Sequence, residues 1–138
     1  MGLYNRNEII VTETGEGNFT QSIRMGKHII TADEPEVVGG NDNGPNPYDL
    51  LLASLGACTS ITLRMYAIRK NIPLKTILIS LDHQKVDDED VIHCILYLGG
   101  DLNSTQKEDL LRIAEKCPVH KTLEHSSKIK TTLGAKKD

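Results

Sequence analysis

The chain is poor in cysteine, with three residues of this type among 138, and the three are widely spaced. Small secreted domains that rely on disulfides carry more cysteines at closer spacing, so this class of protein is excluded. In a reducing compartment a cysteine is instead a reactive group, a metal ligand or an inert part of the core. The three thiols are therefore the first candidates for function.

The chain also lacks a concentration of positive charge. Its formal net charge is −3 and its basic residues are scattered along the sequence. Nucleic acids and anionic membranes are recognised by clustered Lys and Arg, so neither is an expected partner. No charged-then-apolar signal opens the sequence, and residues 1–6 lack the Ser or Thr of a myristoylation site. We expect a cytoplasmic protein.

Internal repeats and low-complexity segments are absent as well. With 138 residues, of which 25% are charged, the chain is expected to form one domain over 1–138, with a frayed tail at 134–138. The apolar stretch 50–68 is interrupted by Ser, Thr and Arg side chains. A membrane span needs about 20 predominantly apolar residues, so this stretch is expected to be a core helix instead.

The first half of the chain combines a predicted sheet with a long predicted helix. Asn46 is expected to cap this helix, with Pro47 at its first position and Asp49 facing free backbone amides. The helix should run to about Lys70 and, being apolar nearly all round, should be buried at the centre of the protein. Before it, β-branched segments separated by glycines predict an antiparallel meander of three strands: 8–14, 18–25 and 27–32.

The second half begins with two alternating segments, 75–86 and 91–99, which predict a hairpin around the acidic turn 87–90. A second helix starts at Asn103 or Ser104, with its apolar positions reaching Cys117 on the inward face. Pro118 ends this helix, and it can also begin a short helix over 118–124 that is capped by Cys117. Alternation over 128–133 predicts a last strand. The fold class is α+β, in the order βββ-α-ββ-αα-β.

Each cysteine allows a structural and a functional interpretation. Free cysteine is often a buried, inert residue, but Cys58 has small neighbours and the hydroxyls of Thr59 and Ser60 beside it. Cys117, at a helix N-terminus, faces unpaired amides and the positive end of the helix dipole, a setting that favours a thiolate. Cys94 lies in an alternating strand and is expected to be a small core residue. Cys58 and Cys117 are the candidate redox pair, because a second thiol can resolve an oxidised first one.

His120 follows Cys117 by three positions. It could support the Cys117 thiolate or bind a metal, but a lone Cys-x-x-His lacks the other two ligands of a structural zinc site. A surface histidine is the alternative. No metal or organic cofactor is expected.

Five segments of the chain form a recognisable set: Asp33-Glu-Pro, Gly39-Gly, Gly44-Pro-Asn-Pro-Tyr-Asp-Leu-Leu-Leu-Ala, Gly56-Ala-Cys-Thr and Ala114-Glu-Lys-Cys-Pro-Val-His. With these segments the chain resembles the OsmC/Ohr family, the osmotically inducible and organic hydroperoxide resistance proteins, over nearly its whole length. Both cysteine motifs occur in the order of that family, and the order of elements is similar.

The resemblance implies an OsmC-like fold that forms an intertwined homodimer, with a long central helix packed on antiparallel sheets. It implies that Cys58 is the peroxidatic thiol and that Cys117 resolves it. In the hydroperoxide-reductase branch a glutamate directly follows the Asn-Pro of the central helix and, with an arginine, orients the thiolate. Tyr48 stands at that position here, so Asp49 is the expected substitute, although its N-terminal position in the helix also explains it. The expected arginine is Arg24.

Arg64 is the other arginine to consider. It follows Cys58 by six positions on the helix, so one and two-thirds turns separate them, and it is less well aimed than Arg24. For either arginine, a solvated surface charge is the alternative interpretation.

The expected activity is a thiol-dependent peroxidase that reduces organic hydroperoxides, with a small dithiol or lipoyl-type compound as reductant. Two other interpretations stay open. The same pocket could belong to a non-enzymatic module that binds a small ligand or senses redox state, or the protein could be a structural dimer with inert thiols.

Overall fold

The computed structural model describes residues 8–135, and the chain divides between Ala53 and Ser54 into two compact units. The predicted frayed tail, 134–138, lies partly outside the described residues. Residues 1–6, which lack a myristoylation site, lie wholly outside them. The first unit contains the predicted meander, in the order β1-β2-β3 with antiparallel pairing throughout. Its strands are β1 (Ile9–Glu13), β2 (Gln21–Met25) and β3 (His28–Ala32).

A buried carboxylate organises the loop after the meander. Asp33 is 2% exposed and accepts hydrogen bonds from the hydroxyl of Thr20 at 2.7 Å, from the backbone N–H of Glu34 at 2.7 Å and from that of Asn43 at 3.2 Å. A short 3-10 helix, Glu36–Val38, lies within this loop. Gly40 is required there, because a side-chain carbon at this position would collide with the carbonyl of Glu34.

The long helix α1, Pro47–Lys70, has the predicted bounds. Asn46 begins it as expected, since its side-chain oxygen accepts from the backbone N–H of Asp49 at 2.8 Å. The helix ends where Asn71 turns to a positive φ of 54° and the N–H of Ile72 bonds the carbonyl of Ala67 at 2.9 Å. This left-handed ending satisfies carbonyls of the last helical turn.

By length and composition alone, α1 meets the criterion for a membrane span, so its polar residues do not by themselves exclude one. Core helices of globular proteins meet the same criterion. Leu63 is fully buried and Ala67 is 2% exposed, both within the protein, and the hydroxyl of Thr59 donates to the carbonyl of Leu55 at 2.8 Å. We therefore interpret α1 as a core helix.

The second unit contains the predicted hairpin, formed by β4 (Leu74–Val86) and β5 (Glu89–Gly100). The turn is tighter than predicted: Asp87 and Asp88 alone connect the strands, with φ of 50° and 65°. Two residues with positive φ form the type of turn whose twist matches that of a hairpin. The strands consequently extend further than alternation indicated.

Two helices complete the second unit. Helix α2, Ser104–Ala114, starts with a capping box between Asn103 and Gln106, and helix α3, Pro118–Glu124, starts at Cys117. Helix α2 ends three residues before Cys117, earlier than predicted, whereas the predicted short helix over 118–124 with Cys117 as its cap is confirmed. The core of the unit joins α1, α2 and the hairpin through Leu63, Ala67, Leu74, Leu110 and Ala114, with Ile77, Leu96 and Leu98 packed against them.

The predicted last strand over 128–133 is wrong. Residues 126–135 form no strand or helix and are exposed throughout. An alternating segment becomes a strand only when a neighbour supplies its hydrogen bonds, and no described strand of this chain pairs with it.

Candidate functional site

Two of the predicted site residues meet in the second unit. Cys58 lies on α1 and Cys117 precedes α3, and the two thiols are close enough for Cys117 to raise the pKa of Cys58. Both cysteines are free, with Cys58 partly exposed and Cys117 fully buried. Two free thiols thus lie near each other, one on α1 and one at the start of α3.

Cys117 is held in place by its own helix and by α1. Its φ of −66° and ψ of 145° make it the N-cap of α3, and its sulfur accepts from the backbone N–H of His120 at 3.3 Å. The Thr59 hydroxyl lies 3.6 Å from the same sulfur. Because Thr59 gives its only proton to the carbonyl of Leu55, this contact is satisfied when the Cys117 S–H donates to the Thr59 oxygen.

The environment of Cys58 opposes its ionisation. Burial raises the pKa of the Cys58 thiol above its ordinary value, and the backbone N–H of Val119 counteracts this by favouring the thiolate. Cys117 raises this pKa further, while the side chain of Thr62 lowers it. The net rise means that only a minor fraction of Cys58 is thiolate at neutral pH, because the thiolate is the form that desolvation disfavours.

The other two predicted site residues, Arg24 and Asp49, belong to the first unit. Arg24 is exposed on β2, where it pairs with Ile10 and Ile29 across the sheet. Asp49 is exposed in the first turn of α1, and its backbone N–H is bound by Asn46. The first-turn position of Asp49 is confirmed, and the roles of both residues toward Cys58 stay predictions.

Arg64, the other arginine considered, has a structural role. Its guanidinium donates to the backbone carbonyl of Leu74 at 2.6 Å and to that of Lys75 at 3.3 Å. These bonds tie α1 to the start of β4.

His120 is half-buried, and its Nε2 lies 3.0 Å from a carboxylate oxygen of Glu124, one helical turn further on. Its contribution to Cys117 comes from the backbone N–H. Among residues 8–135, no group of three or more His, Cys, Asp or Glu side chains is arranged to hold a metal ion.

Sequence reasoning missed Cys94, which is exposed and not a core residue. The alternation of β5 places Cys94 on the inward face, beside Ile92 and Leu96, but there the helices leave a cavity of about 190 Å³ instead of covering it. Cys94 lines this cavity together with Thr59 and His120. The exposure of Cys94 depends on how the helices pack on the hairpin, and the local sequence carries no signal for that packing.

Comparison with known proteins identifies the relatives of this architecture. A family model described as "OsmC-like protein" matches residues 39–132. Among curated proteins, none matches the chain.

Solved structures with a similar fold include the OsmC-like protein from Mycoplasma pneumoniae, with 20% identity and a TM-score of 0.73; the match covers 87% of this chain and 88% of that one. The organic hydroperoxide resistance protein OsmC from Legionella pneumophila has 22% identity and a TM-score of 0.62, covering 89% and 91% of the two chains. OhrB of Bacillus subtilis, an organic hydroperoxide resistance protein, has 23% identity and a TM-score of 0.56, covering 83% and 87%.

Proposed function

Since the chain belongs to the OsmC-like family, we propose that it is a thiol-dependent peroxidase that reduces organic hydroperoxides. The observation that carries this proposal is the contact between the thiols of Cys58 and Cys117. The names of the relatives from Legionella and Bacillus, which include organic hydroperoxide resistance, support the same class of substrate.

The reaction begins with the Cys58 thiolate, which attacks the distal oxygen of the hydroperoxide. The O–O bond breaks, an alcohol leaves after taking up a proton, and Cys58 becomes a sulfenic acid. Cys117 then attacks the Cys58 sulfur, water leaves, and a disulfide joins the two residues. An external dithiol, such as a lipoyl-type compound, returns both cysteines to thiols.

The position of each thiol suits this division of roles. Cys58 is the more accessible of the two, so the substrate meets it first, while Cys117 is fully buried with its sulfur held by Thr59 and His120. A buried alkyl tail contributes about 0.8 kcal/mol per CH2. The desolvated surroundings of Cys58 thus favour alkyl hydroperoxides over hydrogen peroxide.

The raised pKa of Cys58 requires a cation for fast reaction at neutral pH, because a nearby positive charge stabilises the thiolate. The family resemblance assigns this role to Arg24, with Asp49 orienting the arginine. Both assignments are part of the proposal.

We extend the proposal to the assembly and the location of the protein. One strip of α1 exposes Ile61, Met65 and Ile68, which are 55%, 66% and 69% exposed. A helix this apolar is expected to be covered, and a second copy of the chain is the proposed cover, in an intertwined homodimer. The proposed location is the cytoplasm.

Thiol counting after treatment with one equivalent of cumene hydroperoxide tests the proposal. The enzyme loses two of its three thiols within seconds, and peptide mapping finds Cys58 joined to Cys117 in the first disulfide that forms. A Cys58→Ser variant is the control and keeps both remaining thiols over the same period. Loss of thiols at equal rates in the two proteins contradicts the assignment of Cys58.

A non-enzymatic module that binds a small ligand or senses redox state is the second candidate. The raised pKa of Cys58 favours it, because a thiol that is mostly protonated reacts slowly. The same experiment separates the two functions: the module loses its thiols over many minutes or not at all, and added dithiol gives no turnover.

A further inference from the structure

The third thiol, Cys94, faces the same helix that carries Cys58. Cys94 pairs with Leu81 across the hairpin, so the two side chains lie on the same face of the sheet. Leu81 approaches α1 closely, since a side-chain carbon on Gly56 would lie 2.8 Å from a terminal methyl group of Leu81. The face that contains Cys94 is therefore the face that packs on the turn of α1 just before Cys58.

Cys94 also lies near the sulfur of Cys117. Thr59 and His120 line the 190 Å³ cavity with Cys94, and both also contact the Cys117 sulfur, at 3.6 Å through the Thr59 hydroxyl and at 3.3 Å through the His120 N–H. Burial raises the pKa of the Cys94 thiol, and the charge of Cys117 adds to the rise. Cys117 is thus a neighbour of both other thiols.

The three sulfurs differ in their access to solvent. Cys117 is fully buried, Cys58 is partly exposed, and Cys94 is exposed at the cavity wall. A reductant opens a disulfide by approaching one sulfur along the S–S bond. In a Cys58–Cys117 disulfide one partner is fully buried and the other is partly exposed, whereas a disulfide that includes Cys94 has one partner on an exposed residue.

We propose that Cys94 is an exchange thiol, which moves the disulfide from the Cys58–Cys117 pair to a Cys94–Cys117 pair at the cavity, where an external thiol reduces it. This inference rests on the proposed peroxidase function, because that reaction supplies the first disulfide.

The exchange needs no further oxidant. Cys94 loses its proton to solvent and its thiolate attacks the sulfur of Cys117. A bond forms between these two sulfurs, the bond between Cys117 and Cys58 breaks, and Cys58 leaves as a thiolate. One disulfide replaces another, so the oxidation state of the protein is unchanged. An external thiol then attacks the Cys94 sulfur, Cys117 leaves as a thiolate, and a second external thiol releases Cys94.

Rapid-quench mapping of the full chain tests the exchange. The protein is mixed with one equivalent of cumene hydroperoxide, quenched in acid at a series of times, alkylated and mapped by mass spectrometry. The Cys58–Cys117 peptide pair appears first and decays as the Cys94–Cys117 pair grows. In a Cys94→Ser variant the first pair forms at the same rate and persists, and glutathione reduces it several-fold more slowly than it reduces the oxidised wild type.

Two controls keep the outcome specific. Ile95→Ser changes the next residue of β5, which lies 50% exposed on the opposite face of the hairpin, and it behaves as the wild type. Cys94→Ala repeats the loss of the thiol without adding a hydroxyl. A wild type in which the Cys58–Cys117 pair persists, with no Cys94 peptide and with the same glutathione rate as Cys94→Ser, overturns the exchange and leaves the peroxidase intact. Failure of any disulfide to form overturns the peroxidase itself.

Discussion

Asp33 is the buried charged residue on which the loop of the first unit depends. Four donors contribute to lowering the pKa of Asp33 below its ordinary value: the Thr20 side chain, whose hydrogen bond contributes most, and the backbone N–H groups of Glu34, Asn43 and Asn41. The folded protein therefore binds this proton less readily than the unfolded chain does. The stability that the carboxylate provides is present above the unfolded pKa of about 3.9 and is lost as the pH falls through the lower folded value.

Replacing Asp33 by Asn should lower the melting temperature at pH 7 by several degrees, because the amide accepts fewer hydrogen bonds than the carboxylate. The melting temperature of the variant should also fall less steeply than that of the wild type between pH 5 and pH 2. Circular dichroism melts over this range measure both effects. Asp42→Asn is the control, since Asp42 is exposed in the same loop. Parallel acid profiles for wild type and Asp33→Asn would contradict the role of the carboxylate.

The two cysteines of the candidate pair show what single residues reveal before the fold is known. Cys117 could be assigned to a helix cap because Pro118 follows it directly, and both signals are local. That Cys117 lies near Cys58 depends on how α3 approaches α1, which no local pattern contains. The two thiols are a candidate pair from their chemistry, and the family resemblance implies their separate roles. Cys94 is not the core residue that alternation predicts. Alternation determines the face of the sheet on which a residue lies, but it does not show whether other elements cover that face.

Among the secondary-structure elements, helix α2 has one face buried in the core and an adjacent face exposed to solvent. Leu110 is fully buried in the core of the second unit, whereas its neighbour Leu111 is 58% exposed. Leu110→Ala should lower the free energy of unfolding by about 2–5 kcal/mol, because it removes apolar contacts and leaves a cavity. Leu111→Ala should change it by less than about 1 kcal/mol. Urea titration of the two variants measures the difference, and equal losses would show that α2 does not pack as described.

Element bounds could be predicted where their signals are local. Helix α1 begins and ends at the predicted residues because Asn46 and Pro47 mark its start. The hairpin was predicted with a turn of four residues, since four acidic residues in succession do not show which two adopt positive φ. The strand over 128–133 failed for a different reason: its partner cannot be inferred from its own alternation.

At the scale of the whole molecule, the exposed apolar side chains of α1 indicate how the protein assembles. A chain of this size buries a limited share of its surface, and the exposed apolar strip of Ile61, Met65 and Ile68 is the kind of surface that a second copy covers. Light scattering at low micromolar concentration should therefore give a mass of twice 15.3 kDa. Met65→Asp should shift the protein toward the monomer or toward aggregates, while Met65→Leu should leave the dimer intact. A wild type that runs as a single 15.3 kDa species rules out the homodimer.

The central claim is that Cys58 attacks the peroxide and Cys117 resolves it, and the two single variants test this directly. Stopped-flow consumption of an alkyl hydroperoxide, combined with dimedone labelling and intact mass, is the measurement. Cys58→Ser should lose the fast phase, because a serine hydroxyl is not ionised near neutral pH. Cys117→Ser should keep that phase and accumulate a dimedone-reactive sulfenic acid on Cys58, which excess peroxide oxidises further. Equal residual rates in the two variants, with no label on Cys58, would contradict the claim and make Cys58 an inert residue of the core.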